Sequence, residues 1–301
     1  MAAPTAYRVR AHNAATHSEN KIHDDDVAQR LGFRGGLVPG VTVYAYMTHP
    51  VVEVFGRAWL ERGTMTSRFH QPFYEGDTVT VSAEAVAPAA VELEALELTA
   101  TNDAGTVCAT GRASLPGTAG PGGRPEGTAG PGGRPEDTAG PGGRPEGTAG
   151  RLDPDDYPEA PLPDDPAPPT PEALAALDVL GSLEAGFHAD HAHGFLGQLD
   201  EDLELYGRDR LAHPGWLLRA ANDILVANVR LGPWIHTASA VTNLGVVTEG
   251  DRVATRARVS GLSTRHGHEI VELDVLLVAN RDRPVTHIRH SAIYRLRRPA
   301  T

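Results

Sequence analysis

Ser18, Asn20 and His23 bring a hydroxyl, a carboxamide and an imidazole close together near the start of the chain. An imidazole changes charge near neutral pH and can act as acid or base. A carboxamide both donates and accepts hydrogen bonds, and so does a hydroxyl. Taken alone, His23 reads more readily as a surface-loop histidine and Asn20 as a turn residue. Downstream, Leu37-Val38-Pro39-Gly40 leads into an apolar helical run through Val51–Phe55. Proline at a helix start is favourable, and such a tip carries unpaired N–H groups at the positive end of the helix dipole. Between these two stretches, Asp24, Asp25 and Asp26 are expected to cap a short helix, Asp25–Leu31, ended by Gly32. Gly35-Gly36 is no phosphate loop, because no strand precedes it and no Lys-Ser/Thr follows. Phe187 to His193 is dense in possible metal ligands, but the spacing fits no standard zinc pattern. It is read as an alternating strand end with its histidines on one face, and no metal is expected.

The elements around these residues come in two similar blocks. In the first, the helix opened by Pro39-Gly40 is followed by a strand at Met65–Phe69 and a turn at Glu75-Gly76-Asp77. Strands at Thr78–Val86, Val91–Thr101 and Thr106–Leu115 complete it. In the second, Ala212-His213-Pro214-Gly215 opens a helix running to Ile224–Val229. A strand at Ile235–Val241, a turn at Glu249-Gly250-Asp251 and strands at Val253–Val259, His268–Val278 and Val285–Leu296 follow. The repeated order argues internal duplication, with Pro214-Gly215 set opposite Pro39-Gly40. A long, mostly apolar helix must be covered, and an antiparallel sheet curling round it does this in an α+β layer. Two such sheets joined edge to edge remove a pair of exposed edges.

Between the blocks, residues 117–150 repeat the decamer GTAGPGGRPE three times and begin it again, with Asp137 the one change. A Pro-rich acidic stretch, Asp153 to Pro171, follows. With nothing larger than Ala among its aliphatic residues, the repeat cannot bury enough surface to offset its ordering entropy. The expected organisation is therefore a first domain over 1–116, a largely disordered linker over 117–171 and a second domain over 172–301. The 301 residues hold 39 acidic against 27 basic side chains, a net charge of −12 that disfavours nucleic acid as a partner. Lys21 is the single lysine, and Cys108, the single cysteine, is expected in the core. One cysteine permits no intrachain disulfide, and no apolar run is long enough for a membrane span, so a cytoplasmic protein without membrane contact is expected.

The stretch from Ser18 to Ala28, continued through Gly32-Phe33-Arg34-Gly35-Gly36 to Gly40, resembles the signature of the (R)-specific enoyl-CoA hydratases of the MaoC-like family. That signature reads Asp-x-Asn-Pro-(Leu/Ile)-His, then a short helix holding an Ala, then a loop ending in Gly at the tip of the central helix. Asn20, Ile22 and His23 match in type and spacing, and Ala28 and Gly40 match one residue closer. The resemblance implies two tandem hot-dog domains with the active site in the first. It implies a hydratase or dehydratase acting on an acyl-CoA or acyl-carrier-protein thioester, with no cofactor. His23 would be the acid/base, Asn20 would orient water or substrate, and the Gly40 N–H would meet the thioester oxygen. Ser18, Val38 and Pro39 would border the substrate. Ser18 stands where the family has Asp, and Lys21 where it has Pro; Ser18 would supply a hydrogen bond rather than a charge. A thioesterase on the same fold and a non-catalytic acyl-CoA-binding protein are the alternatives. The second block lacks an Asn-x-x-His segment, so no second active site is expected there, and a homodimer of such chains is possible.

Overall fold

A computed structural model of the protein describes residues 6–16, 18–86, 95–116 and 152–297. Its first half runs β1 (Tyr7–Arg10), a 3-10 turn (Lys21–His23), α1 (Asp25–Arg30), α2 (Gly40–Phe55), α3 (Arg57–Arg62), β2 (Thr64–Phe69), β3 (Thr78–Val86), β4 (Ala95–Thr101) and β5 (Val107–Ser114). The second half runs α4 (Pro171–Ala175), β6 (Leu183–Gly186), α5 (Ala189–Gln198), α6 (Glu204–Arg208), α7 (Pro214–Asn228), β7 (Ile235–Asn243), β8 (Arg252–Arg265), β9 (His268–Ala279) and β10 (Arg283–Arg295). All ten strands form one antiparallel sheet in the order β1-β3-β4-β5-β2-β7-β10-β9-β8-β6.

That order is a palindrome: each half is a five-stranded sheet, and β2 and β7 join them edge to edge. The register at the join, Thr64↔Thr242 through Arg68↔Ala238, centres on Thr66 opposite Ala240. Two strand edges that would otherwise face solvent are consumed there. This is the α+β double layer expected from the two similar blocks.

The central helices differ. Every residue of α2 from Val41 to Val52 is buried, so this stretch has no solvent face. In α7 the buried positions Leu217, Leu218, Ala221, Ile224, Leu225 and Asn228 form one stripe, while Arg219 and Asp223 face outward and pair with each other at 3.6 Å. The second helix is thus amphipathic rather than enclosed. Leu37 bridges Tyr74 and Leu211 bridges Thr248, which sets Pro39 opposite His213 and Gly40 opposite Pro214. The pairing of Gly40 with Gly215 read from sequence is therefore off by one position.

Two other expectations are corrected. Residues 188–193 are not a strand end, because His188 caps α5. The cause is remote in sequence: Glu249, from the second turn, accepts the Ala189 N–H at 2.6 Å and so holds the first N–H group of the helix. The stretch after the decamer repeats is packed rather than free. Tyr157 is buried against Leu276 and Val278 and donates to Asp274 at 3.0 Å, and Ala167 bridges Val229. Arg256 adds bonds to the Pro154 and Tyr157 carbonyls and to Glu159, so an aromatic body with a polar tip and a buried guanidinium together anchor the segment. The repeats themselves lie outside the described residues. Cys108 is fully buried, and among the described residues no helix is long and apolar enough to cross a membrane.

Candidate active site

Asn20 begins the turn that carries His23. Its Oδ1 accepts from the Ile22 N–H at 3.3 Å, and the Ile22 side chain is buried with Ala28 and Leu37. With the turn pinned on that apolar peg, the imidazole faces inward. Asp24 caps α1 by accepting from Val27 at 3.0 Å, and Asp25 accepts the Gly36 N–H at 2.7 Å. These two carboxylates therefore brace the loop that leads to α2. Gly36 must be glycine, because a Cβ there would lie 2.2 Å from the His23 carbonyl oxygen.

His23 Nδ1 lies 2.7 Å from the Leu37 carbonyl oxygen. A carbonyl only accepts, so Nδ1 carries the proton and Nε2 of the neutral ring carries the lone pair. Burial pushes the imidazole below its ordinary pKa of 6.5, partly offset by the bond to Leu37. At neutral pH His23 is therefore an uncharged base, with its unprotonated nitrogen selected by the backbone.

Asn20 has no spare hydrogen-bonding capacity. Its Oδ1 also accepts the Trp234 N–H at 3.2 Å, and its Nδ2 donates to the Trp234 carbonyl at 3.0 Å and to His23 Nε2 at 3.3 Å. Two donors and two acceptors are all that a carboxamide offers. Asn20 thus ties the His23 loop to the second half of the chain. Ser18 stands behind it, donating to the Asn20 carbonyl at 3.2 Å, and is not among the residues that line the cavity.

The cavity has a volume of about 290 Å³. Asn20, His23, Val38, Pro39 and Gly40 line it from the first half, and Asn222, Trp234 and His236 from the second. It therefore brings together five of the six residues singled out from sequence. Phe69 and Phe73 add apolar wall, and among the described residues no carboxylate lines the cavity. One end is the tip of α2, whose N-cap residue Pro39 contributes no side-chain hydrogen bond. First-turn N–H groups left without a cap are available to an anionic oxygen.

Three lining residues gave no signal in the sequence, because β7 and α7 reach the site only through the join between halves. Trp234 meets Asn20 through its backbone. Asn222 places a buried Oδ1 without a hydrogen-bond partner at the cavity. His236, fully enclosed, packs on Gly40 so closely that a Cβ on that glycine would lie 2.8 Å from its Nδ1.

The corresponding tip of α7 is filled. His213 caps it by accepting the Gly215 N–H at 3.0 Å, with the rings of Phe195 and Tyr206 against it. Its Nε2 lies 3.4 Å from Glu201, which also bonds His49 Nδ1 at 2.9 Å and the Leu203 N–H at 2.9 Å. Burial acts to raise the Glu201 pKa, but the bonds from His213 and His49 outweigh it and hold the carboxyl down at about 2. His49, Glu201 and Asp202 form a group close enough to hold a metal ion, although the Glu201 oxygens are already engaged within the protein. In the run read from sequence as dense in ligands, His188 turns to Glu249 and Asp190 to Arg210.

No protein-family model matches the chain, and no curated protein matches it. Solved structures share its fold. A conserved protein of Mycobacterium tuberculosis with a double hot-dog fold superposes with a TM-score of 0.57 at 18% identity, over 97% of this chain and 96% of that one. A MaoC-like dehydratase gives 0.55 at 14% identity over 97% and 98%. A chain described as a MaoC domain protein, from Chloroflexus aurantiacus, gives 0.59 at 10% identity over 98% and 96%. The chain is a double hot-dog protein, with the fold of the MaoC-like dehydratases.

Proposed function

We propose that the protein acts on an acyl thioester, adding water to a 2-enoyl thioester or removing it from a 3-hydroxyacyl thioester. The observation that carries this reading is the 2.7 Å contact of His23 Nδ1 with the Leu37 carbonyl oxygen. That nitrogen is committed to Leu37, so the basic Nε2 faces a cavity that ends at the open tip of α2. A thioester whose carbonyl oxygen meets the Gly40 N–H would set its conjugated carbons beside that nitrogen. In hydration, Nε2 takes a proton from water as the 3.3 Å bond from Asn20 yields. The water oxygen bonds to the β-carbon. The electron pair of the double bond moves towards the thioester oxygen, where the helix tip stabilises it. The α-carbon then takes the proton back from His23, so one water is added in all. Dehydration is the reverse. In this scheme Asn20 positions His23, and Ser18 holds the loop.

A cavity without a carboxylate also suits simple hydrolysis of the thioester by a water that His23 activates. Crotonyl-CoA distinguishes the readings. Loss of the conjugated-thioester absorbance without thiol release, abolished in His23→Ala, is the expected result. Thiol release would replace hydration by hydrolysis. Tight binding of crotonyl-CoA with neither signal would leave an acyl-CoA-binding protein.

A further inference from the structure

His236 projects from β7, in the second half, to the tip of α2 in the first. It is 5% exposed, and its Nδ1 is buried with no hydrogen-bond partner. Its other nitrogen is held: Nε2 lies 2.8 Å from Ser239 Oγ, which lies 3.2 Å from His290 Nδ1. The edge of Phe69 and the tilted ring of His290, with centroids at 4.7 and 4.2 Å, fix the plane of the imidazole. A buried polar atom left unpaired is costly to the fold. A ring so firmly placed, with one unpaired nitrogen at a cavity and against an uncapped helix tip, is set for a ligand atom.

The chain of three groups allows two proton arrangements, since the serine hydroxyl has one hydrogen. In one, His236 Nε2–H donates to Ser239, Ser239 donates to His290, and Nδ1 of His236 is a bare lone pair. In the other, His290 Nδ1–H donates to Ser239, Ser239 donates to His236 Nε2, and His236 Nδ1 carries a hydrogen. Only the second places a donor beside Gly40. A bare lone pair there would repel the carbonyl oxygen that the helix tip attracts.

Building on the thioester reading above, we propose that the Nδ1–H of a neutral His236 is a second donor to the thioester carbonyl oxygen, alongside the Gly40 N–H. Ser239 and His290 are the positioning residues that permit this tautomer, which a carbonyl oxygen bound at the helix tip favours. Burial and the neighbouring His290 hold His236 well below the ordinary histidine range, and burial pushes His290 down to about 3. The pair is therefore uncharged at neutral pH, and the donor needs no excess proton. The oxyanion site is built by both halves, which gives the second half a part in the chemistry although its own helix tip is filled.

Two measurements on the full chain test this. Nitrogen-15 spectra of the histidine-labelled protein should show His236 protonated at Nδ1 and bare at Nε2; the opposite tautomer, unchanged when butyryl-CoA is added, would overturn the proposal. Butyryl-CoA carries the thioester but no double bond. Difference infrared spectra of its carbonyl-labelled form should show the C=O stretch lowered on binding. The shift should fall sharply in His236→Phe and in part in Ser239→Ala, both of which should still bind. His236→Leu, which also lacks a donor, covers the case in which His236→Phe fails to fold. An equal shift in wild type and in a folded His236 variant would overturn the donor role alone. Failure of the wild type to bind any acyl-CoA would overturn the thioester reading as well. With crotonyl-CoA as substrate, loss of one such donor lowers kcat by about a hundredfold or more.

Discussion

His23 has its protonation state set by a carbonyl rather than by a carboxylate. Its basic form is the resting form, because burial lowers its pKa below 6.5. The rate of turnover should therefore rise with pH through an inflection below 6.5 and be flat above it; a profile still climbing beyond pH 8 would show that another group supplies the base. Asn20 contributes in a different way. Its four hydrogen bonds join the turn, the imidazole and the backbone of Trp234. Asn20→Ala leaves buried partners unpaired and should destabilise the protein by about 1–3 kcal/mol, read as a lower urea midpoint. The same variant should slow catalysis by misplacing His23, with little change in KM. The type and spacing of Asn20 and His23 were legible in the chain. What could not be read was that the carboxamide faces Trp234, a partner that folding brings from the far half.

Elements show the same division between local and remote causes. The helix beginning at Gly40 was legible because Pro39-Gly40 opens a mostly apolar run, and the two Glu-Gly-Asp turns because their flanks alternate. Helix α5 was not, since its first N–H group is held by Glu249. Nor was the filling of the α7 tip, where Glu201 draws together His49 of α2 and His213, the cap of α7. Its carboxyl, at about 2 when folded against an ordinary 4.5, stabilises the fold above pH 4.5. That contribution declines as pH falls through the window from 4.5 to 2. Glu201→Gln should cost roughly 3 kcal/mol at neutral pH. It should also flatten the acid limb of the stability curve, measured as urea midpoints from pH 6 to pH 3. An unchanged acid limb would show that Glu201 is not the group responsible.

At the scale of the molecule, the β2–β7 join makes the site, since Trp234, His236 and Asn222 enter the cavity only when the halves pair. A fragment ending at residue 116 keeps His23 and Gly40 but leaves β2 an open edge, so it should self-associate or aggregate. Co-expression with a fragment beginning at residue 152 should restore a soluble pair and turnover of crotonyl-CoA. Activity in the first fragment alone would argue against a shared cavity.

The same join has a consequence for how such a chain can change. When two identical subunits meet across a twofold axis, every substitution is made twice, and neither copy can specialise without the other. Linking both into one polypeptide lifts that restriction. Here one helix tip borders a cavity while its twin is closed by an internal brace, so the two copies of one element hold different surroundings.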